Sequence, residues 1–153
     1  MRLFTLVLII FFTSCFSPTL LESSKPFLVM KRTACYGTCP QYMISIYNDG
    51  LIIYNGKLFV DRIGCFSSVI SMNQMDSIKM LLNDIEFFSL KEEYLSPITD
   101  VPSVILEINI DGKSHKVVDR IEGPDELKQC YIFIDSIAES VSNWSDCQIS
   151  QKE

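Results

Sequence analysis

Apolar and polar side chains alternate most clearly in the first half of the chain. Over Gln41–Asn48, Tyr42, Ile44 and Ile46 fall on one face and Met43, Ser45 and Tyr47 on the other, the period of a half-buried strand. Asp49-Gly50 then predicts a two-residue type I′ turn, which needs positive φ at both central residues, and Leu51–Asn55 returns. That register pairs Ile46 with Ile53 and Tyr47 with Ile52 and fixes the buried face. Phe27–Thr33 reads as a first strand; Lys57–Arg62 and Cys65–Ile70, after a bend at Gly56, extend an antiparallel meander. In a second hairpin Val104, Leu106, Ile108 and Ile110 alternate with Ile105, Glu107 and Asn109. Asp111-Gly112 makes its turn, and Glu107 faces Lys116.

Two segments change to helical spacing. Ser71 with Gln74 fits a capping box, and Met75, Ile78, Leu81, Leu82 and Ile85 form the stripe of a helix over 72–85. Pro124 starts a second helix at its first position, with Asp125 and Glu126 complementing the dipole. Its stripe is Leu127, Cys130, Tyr131, Ile134, Ile137, Ala138 and Val141. The stretch 86–102 predicts no regular element, and so long a connection is packed or functional. Strands, helix, hairpin and helix in that order predict an α+β fold of two layers. Its antiparallel sheet has about five or six strands, with both helices on one face.

The first residues carry an address. Met1–Arg2 is a basic start, Leu3–Phe12 is an apolar run, and Thr13, Ser14 and Cys15 follow, the anatomy of an export signal. Phe12-Thr13-Ser14-Cys15 resembles the lipobox of bacterial lipoproteins, with Phe12 where that pattern usually has Leu. It implies lipidation at Cys15 and a cell-envelope location, periplasmic or surface-facing. An uncleaved anchor over Leu3–Leu21, which carries no charge, and a lipid-free secreted product are the alternatives. The expected organisation is a signal peptide at 1–14, a lipidated tether at 15–26, one domain at 27–144 and a flexible tail at 145–153.

Composition narrows the function classes. Hydrophobic residues at 48% and charged residues at 21% belong to a chain that folds. A net charge of −6, from 19 acidic against 13 basic residues, argues against nucleic acid as a partner. The chain holds no Gly-rich phosphate loop, no HExxH and no GxSxG. Export permits disulfides among the six cysteines. With Cys15 lipidated an odd number remains, so at least one is free or pairs outside the chain. Cys35 and Cys39 are the clearest pair; so short a bridge gives only about 2 kcal/mol and serves to fix the loop around Gly37. Cys130 reads as a buried small hydrophobe, whereas Cys65 and Cys147 have no assignable partner.

Arg32-x-x-Cys35-Tyr36-Gly37-x-Cys39-Pro40-x-Tyr42 is the most unusual string. With Ile46-Tyr47-x-Asp49-Gly50, Tyr54-x-Gly56, Phe87-Phe88, Thr99-Asp100-x-Pro102 and Asp111-Gly112, it resembles an uncharacterised bacterial domain family, domain of unknown function 6438, over about Val29 to Trp144. The resemblance implies a small α+β domain behind a lipoprotein signal and no activity or cofactor to inherit. Arg32, Tyr36, Gly37, Pro40, Tyr42 and Asp100 are its motif and binding candidates. Asp100 is expected to pair with Arg32 and join two loops; otherwise it caps a turn before Pro102.

The competing chemistry is metal or redox. CxxxCP resembles the copper-binding segment of Sco-type chaperones, and Cys35 and Cys39 with His115 would suit Cu(I). The strand-like Gln41–Asn48 speaks against that motif's helix, and a disulfide is the plainer use of the pair. Tyr36, Tyr42, Tyr47 and Tyr54 read either as half-buried sheet packing or as an exposed aromatic surface. Glu92-Glu93 with Asp84 and Glu86 reads as a solvated loop. Asn143-Trp144-Ser145 matches a glycosylation sequon by coincidence. The leading expectation is a non-enzymatic, lipid-anchored envelope domain that meets an envelope protein or ligand. A thiol or copper domain is the alternative, and an enzyme with its site on Phe87–Pro102 is third.

Overall fold

The structure, a computed structural model, describes residues 25–147; the expected export signal, the expected lipidation at Cys15, most of the expected tether and residues 148–153 lie outside the described residues. The strands are β1 (Leu28–Arg32), β2 (Gln41–Ile46), β3 (Leu51–Leu58), β4 (Gly64–Val69), β5 (Glu93–Leu95), β6 (Val104–Ile110), β7 (Lys113–Arg120) and β8 (Ser145–Asp146). The helices are α1 (Met72–Asp84) and α2 (Asp125–Ser140), with a 3-10 turn at Phe87–Ser89. One open sheet runs β5-β7-β6-β1-β2-β3-β4-β8. Every pairing is antiparallel except that of β5 with β7.

The α+β class holds, but the sheet has eight strands where five or six are expected. Two additions come from edge strands too short to alternate: β5 inside the supposedly irregular stretch, and β8 inside the supposedly flexible tail. Conversely, Lys57–Arg62 is no separate strand, because β3 continues through Gly56 to Leu58 before the chain turns. The segment 145–147 is held twice. Ser145 pairs with Ser67, and Cys147 forms a disulfide with Cys65 across 82 positions.

The two Asp-Gly hairpins differ. Asp111 (φ 50°) and Gly112 (φ 76°) both take the left-handed conformation, Ile110 pairs with Lys113, and Glu107 faces Lys116 as expected. In the first hairpin only Gly50 has positive φ, at 85°. The Gly50 N–H donates to the Tyr47 carbonyl (3.0 Å) and the Tyr47 N–H to the Leu51 carbonyl (2.9 Å), so the loop is one residue longer than a type I′ turn. Ile46 therefore pairs with Ile52, and Ser45 with Ile53. Asp49 explains the choice, since its Oδ1 accepts the Leu51 N–H (3.0 Å) without leaving right-handed backbone.

Leu28, Met30, Ile44, Ile46, Ile52, Leu106, Ile108 and Val117 project from one face of the sheet into a single core with Met75, Ile78 and Leu82 of α1. From α2 the core takes Leu127, Cys130, Tyr131, Ile134, Ile137 and Ala138. Both helices thus cover one face. The capping box forms, Ser71 Oγ accepting the Gln74 N–H while Gln74 accepts the Ser71 N–H. Pro124 stands one position earlier than expected, as the N-cap of α2. The helices are antiparallel: Gln74 in the first turn of α1 bonds Ser140 at the end of α2 (3.2 Å).

Candidate functional site

Cross-strand register builds the site. Arg32, the last residue of β1, shares the core-facing parity of Leu28 and Met30, and is paired with Tyr42 on one side and Val104 on the other. Tyr42 is followed across the sheet by Gly56, and Val104 by Asp119 and Tyr94. One transverse row therefore carries polar groups at the end of the sheet, and α2 lies over it. Asp135, four residues beyond Tyr131 and eight beyond Leu127, points down from the helix's buried stripe.

Arg32, Tyr42 and Asp135 form a closed clasp. The Arg32 Nε donates to the Tyr42 hydroxyl (2.8 Å) and to Asp135 Oδ2 (3.1 Å), Nη2 donates to the same Oδ2, and the Tyr42 hydroxyl donates to Oδ1 (2.5 Å). Burial pushes the Tyr42 phenol well above its ordinary range, the bond to Asp135 adds to this, and Arg32 opposes it. The hydroxyl proton is committed to Asp135, and two Arg32 nitrogens are engaged by the same three-residue set. The clasp ties α2 to β1 and β2.

Beside the clasp lies a partly open cavity of about 260 Å³. Ile44 and the rings of Tyr42 and Tyr54, stacked at 5.4 Å, make its floor, and Asp135, Ala138 and Glu139 of α2 make one wall. The opposite wall is the β3–β4 turn, Phe59–Arg62, which closes down because Gly56 has no side chain: a Cβ there would sit 1.8 Å from the Arg62 carbonyl oxygen. Phe59 in that turn has φ 55°, an unusual conformation for an aromatic residue. Trp144 packs edge-on against Tyr54, and the Arg62 guanidinium lies 5.8 Å over its ring. Burial raises the Tyr54 phenol as well.

The Cys35–Cys39 disulfide closes the loop at the same end of the sheet, with Cα atoms 5.7 Å apart. Tyr36 at its tip is 90% exposed, whereas Tyr42 and Tyr54 are half-buried in the sheet and Tyr47, just past β2, is half-buried in the hairpin connection. Pro40 joins the loop to the cavity lining. Asp100 does lie against this loop, but not as expected. Its carbonyl accepts the Tyr36 N–H (3.4 Å), its carboxylate meets Thr99, and Arg32 pairs with Asp135 instead. Backbone bonds join the two loops, reinforced where Thr33 donates to the Ser103 carbonyl (3.0 Å) and Ser103 to Thr33 Oγ1 (2.8 Å).

His115 stands apart from the cysteines. It pairs with Ile108, whose other neighbour is Leu28, four residues along the strands from the Arg32 row, about 13 Å. Its Nε2 meets the Leu90 carbonyl (3.0 Å), and its ring packs on Phe87 and Phe88. The structure therefore brings together Arg32 and Tyr42, joins Cys35 to Cys39, and leaves His115 elsewhere. Sequence reasoning missed Asp135, Arg62, Glu139 and the Cys65–Cys147 staple. Asp135 left a trace, a carboxylate at helical spacing inside an apolar stripe, a position that demands a partner.

Two disulfides mark a domain that folds in an oxidising, extracytoplasmic compartment. Among the described residues no helix is long and apolar enough to cross a membrane. No curated protein matches the chain. A family profile, Domain of unknown function (DUF6438), matches residues 26–138, from just before β1 into the last turn of α2, and takes in the clasp and the Cys35–Cys39 loop. The chain belongs to that family of uncharacterised domains.

Proposed function

We propose that this domain is a non-enzymatic binding module of the cell envelope, held there through lipid on Cys15. It meets another envelope component with the end of the sheet that carries the Cys35–Cys39 loop. The observation that supports this is Tyr36, 90% exposed at the tip of a covalently closed loop. A large aromatic side chain on a pre-ordered loop is a strong anchor, because little conformational freedom remains to be lost on contact. Leu58 at the end of β3, Phe59 and Ile63 between β3 and β4, and Ile98 on the loop bonded to Tyr36 extend the exposed apolar surface at this end. The non-enzymatic reading draws on the clasp, whose polar groups already satisfy one another.

The test is capture from native envelope by the tethered full chain, compared with Tyr36→Ala. Loss of a captured component from the variant, with an unchanged unfolding midpoint, is the expected result. Equal capture by both proteins refutes the assignment of this surface. Cys15→Ala is expected to move the chain from the detergent phase to the aqueous phase in a two-phase extraction.

A further inference from the structure

We propose that the cavity between Tyr42, Tyr54 and α2 binds a small zwitterion bearing an apolar group, a molecule of the amino-acid class. The argument rests on which charges around the cavity are already used. Asp135 is neutralised by Arg32. Asp61 and Glu139, which also line the cavity, meet no cation within 4.0 Å among the described residues. Arg62 likewise meets no carboxylate among the described residues, although Asp61 precedes it in the chain. Its guanidinium is held on the face of Trp144.

The exposed rim of the cavity thus presents one cation and two carboxylates that form no ion pair among the described residues, around an aromatic floor. A simple anion would face both carboxylates, and a simple cation would leave Arg62 unanswered. A zwitterion meets both signs, its ammonium toward Glu139 and Asp61 and its carboxylate toward Arg62, where the guanidinium fork suits two oxygens. Its apolar group then lies on the stacked rings of Tyr42 and Tyr54. The volume of about 260 Å³ fits this size, falling just below the range of about 300–1,000 Å³ in which drug-sized ligands bind. The site is also held ready. Gly56 lets the turn close down, Phe59 keeps its left-handed backbone there, and the Cys65–Cys147 bond fixes the strand that follows Trp144.

The test is calorimetric titration of the full chain, in detergent and with disulfides intact. The ligands are phenylalanine, leucine, phenethylamine (no carboxylate) and 3-phenylpropanoate (no ammonium). Saturable binding of phenylalanine or leucine is expected, with each truncated probe at least about tenfold weaker than phenylalanine if phenylalanine binds. Arg62→Gln should abolish the preference for phenylalanine over phenethylamine, and Glu139→Gln together with Asp61→Asn its preference over 3-phenylpropanoate. These side chains lie on the rim, and an unchanged unfolding midpoint checks that each variant is folded. No binding of either amino acid up to about 10 mM overturns the proposal. So does equal affinity for phenylalanine and either truncated probe, or preferences that survive the substitutions. The inference is separate from the partner surface: loss of capture by Tyr36→Ala without amino-acid binding defeats it alone, and the opposite pattern defeats only the Tyr36 reading.

Discussion

Asp135 is the residue on which the site's rigidity turns. Its two oxygens collect three hydrogen bonds from β1 and β2, with the Arg32 and Asp135 side chains 26% and 19% exposed. Asp135→Asn keeps the shape, removes the charge and leaves a half-buried guanidinium unpaired. Partial exposure moderates the cost, so a loss of about 1–3 kcal/mol is expected in urea unfolding. Tyr42→Phe deletes a single hydroxyl and should cost about 1 kcal/mol. Arg32 and Tyr42 were legible in the sequence because both belong to the motif string. Their partner was not, because it lies about a hundred positions away on a helix, and helical acids usually face water.

Cys130 gives a second test at this scale. Burial pushes its thiol from an ordinary value near 9 up to about 12, so the folded chain keeps a proton that the unfolded chain releases. Between those values the unfolded state binds fewer protons, and stability falls as pH rises from about 9. Urea midpoints measured between pH 7.5 and 10.5 should decline above about 9, and more shallowly in Cys130→Ala. At pH 8, a thiol reagent should label Cys130 only when denaturant opens the core.

At the scale of elements, the sequence showed its long periodic segments and hid its edges. Both helices and the central strands follow from side-chain spacing. β5 and β8, with three and two residues, are too short for alternation and exist because neighbouring strands offer them hydrogen-bonding edges. The first hairpin slipped by one residue because Asp49-Gly50 supports two loops, and the Asp49 side chain stabilises the longer. Gly56 is the pivotal element-level position, since the β3–β4 turn rests on its bare Cα. Gly56→Ala must lift that turn, with an expected cost of about 1–3 kcal/mol in thermal or urea unfolding. The resulting loss of the cavity wall should also raise the solvent exposure of Trp144, the single tryptophan, read as a red shift in its emission.

For the molecule as a whole, the two disulfides do different work. Cys35–Cys39 closes a loop with a sequence separation of 4 and constrains the unfolded chain little, about 2 kcal/mol. Cys65–Cys147 spans 82 positions and should contribute about 4.5 kcal/mol on the same entropic account. Calorimetric unfolding of Cys65→Ser/Cys147→Ser is therefore expected to show roughly twice the destabilisation of Cys35→Ser/Cys39→Ser. The reverse ranking would mean that the short loop stabilises the native packing around it. The long staple was illegible because pairing between distant cysteines depends on a sheet order that the sequence did not reveal.

β1 sits at the middle of the sheet and runs from Leu28 to Arg32, about 13 Å of extended chain. The polypeptide ahead of Lys25 consequently joins the domain at one pole, whereas Tyr36, the clasp and the cavity occupy the other. A contact made at the Tyr36 pole is therefore separated from Lys25 by the length of the central strand, and the sheet core lies between the two.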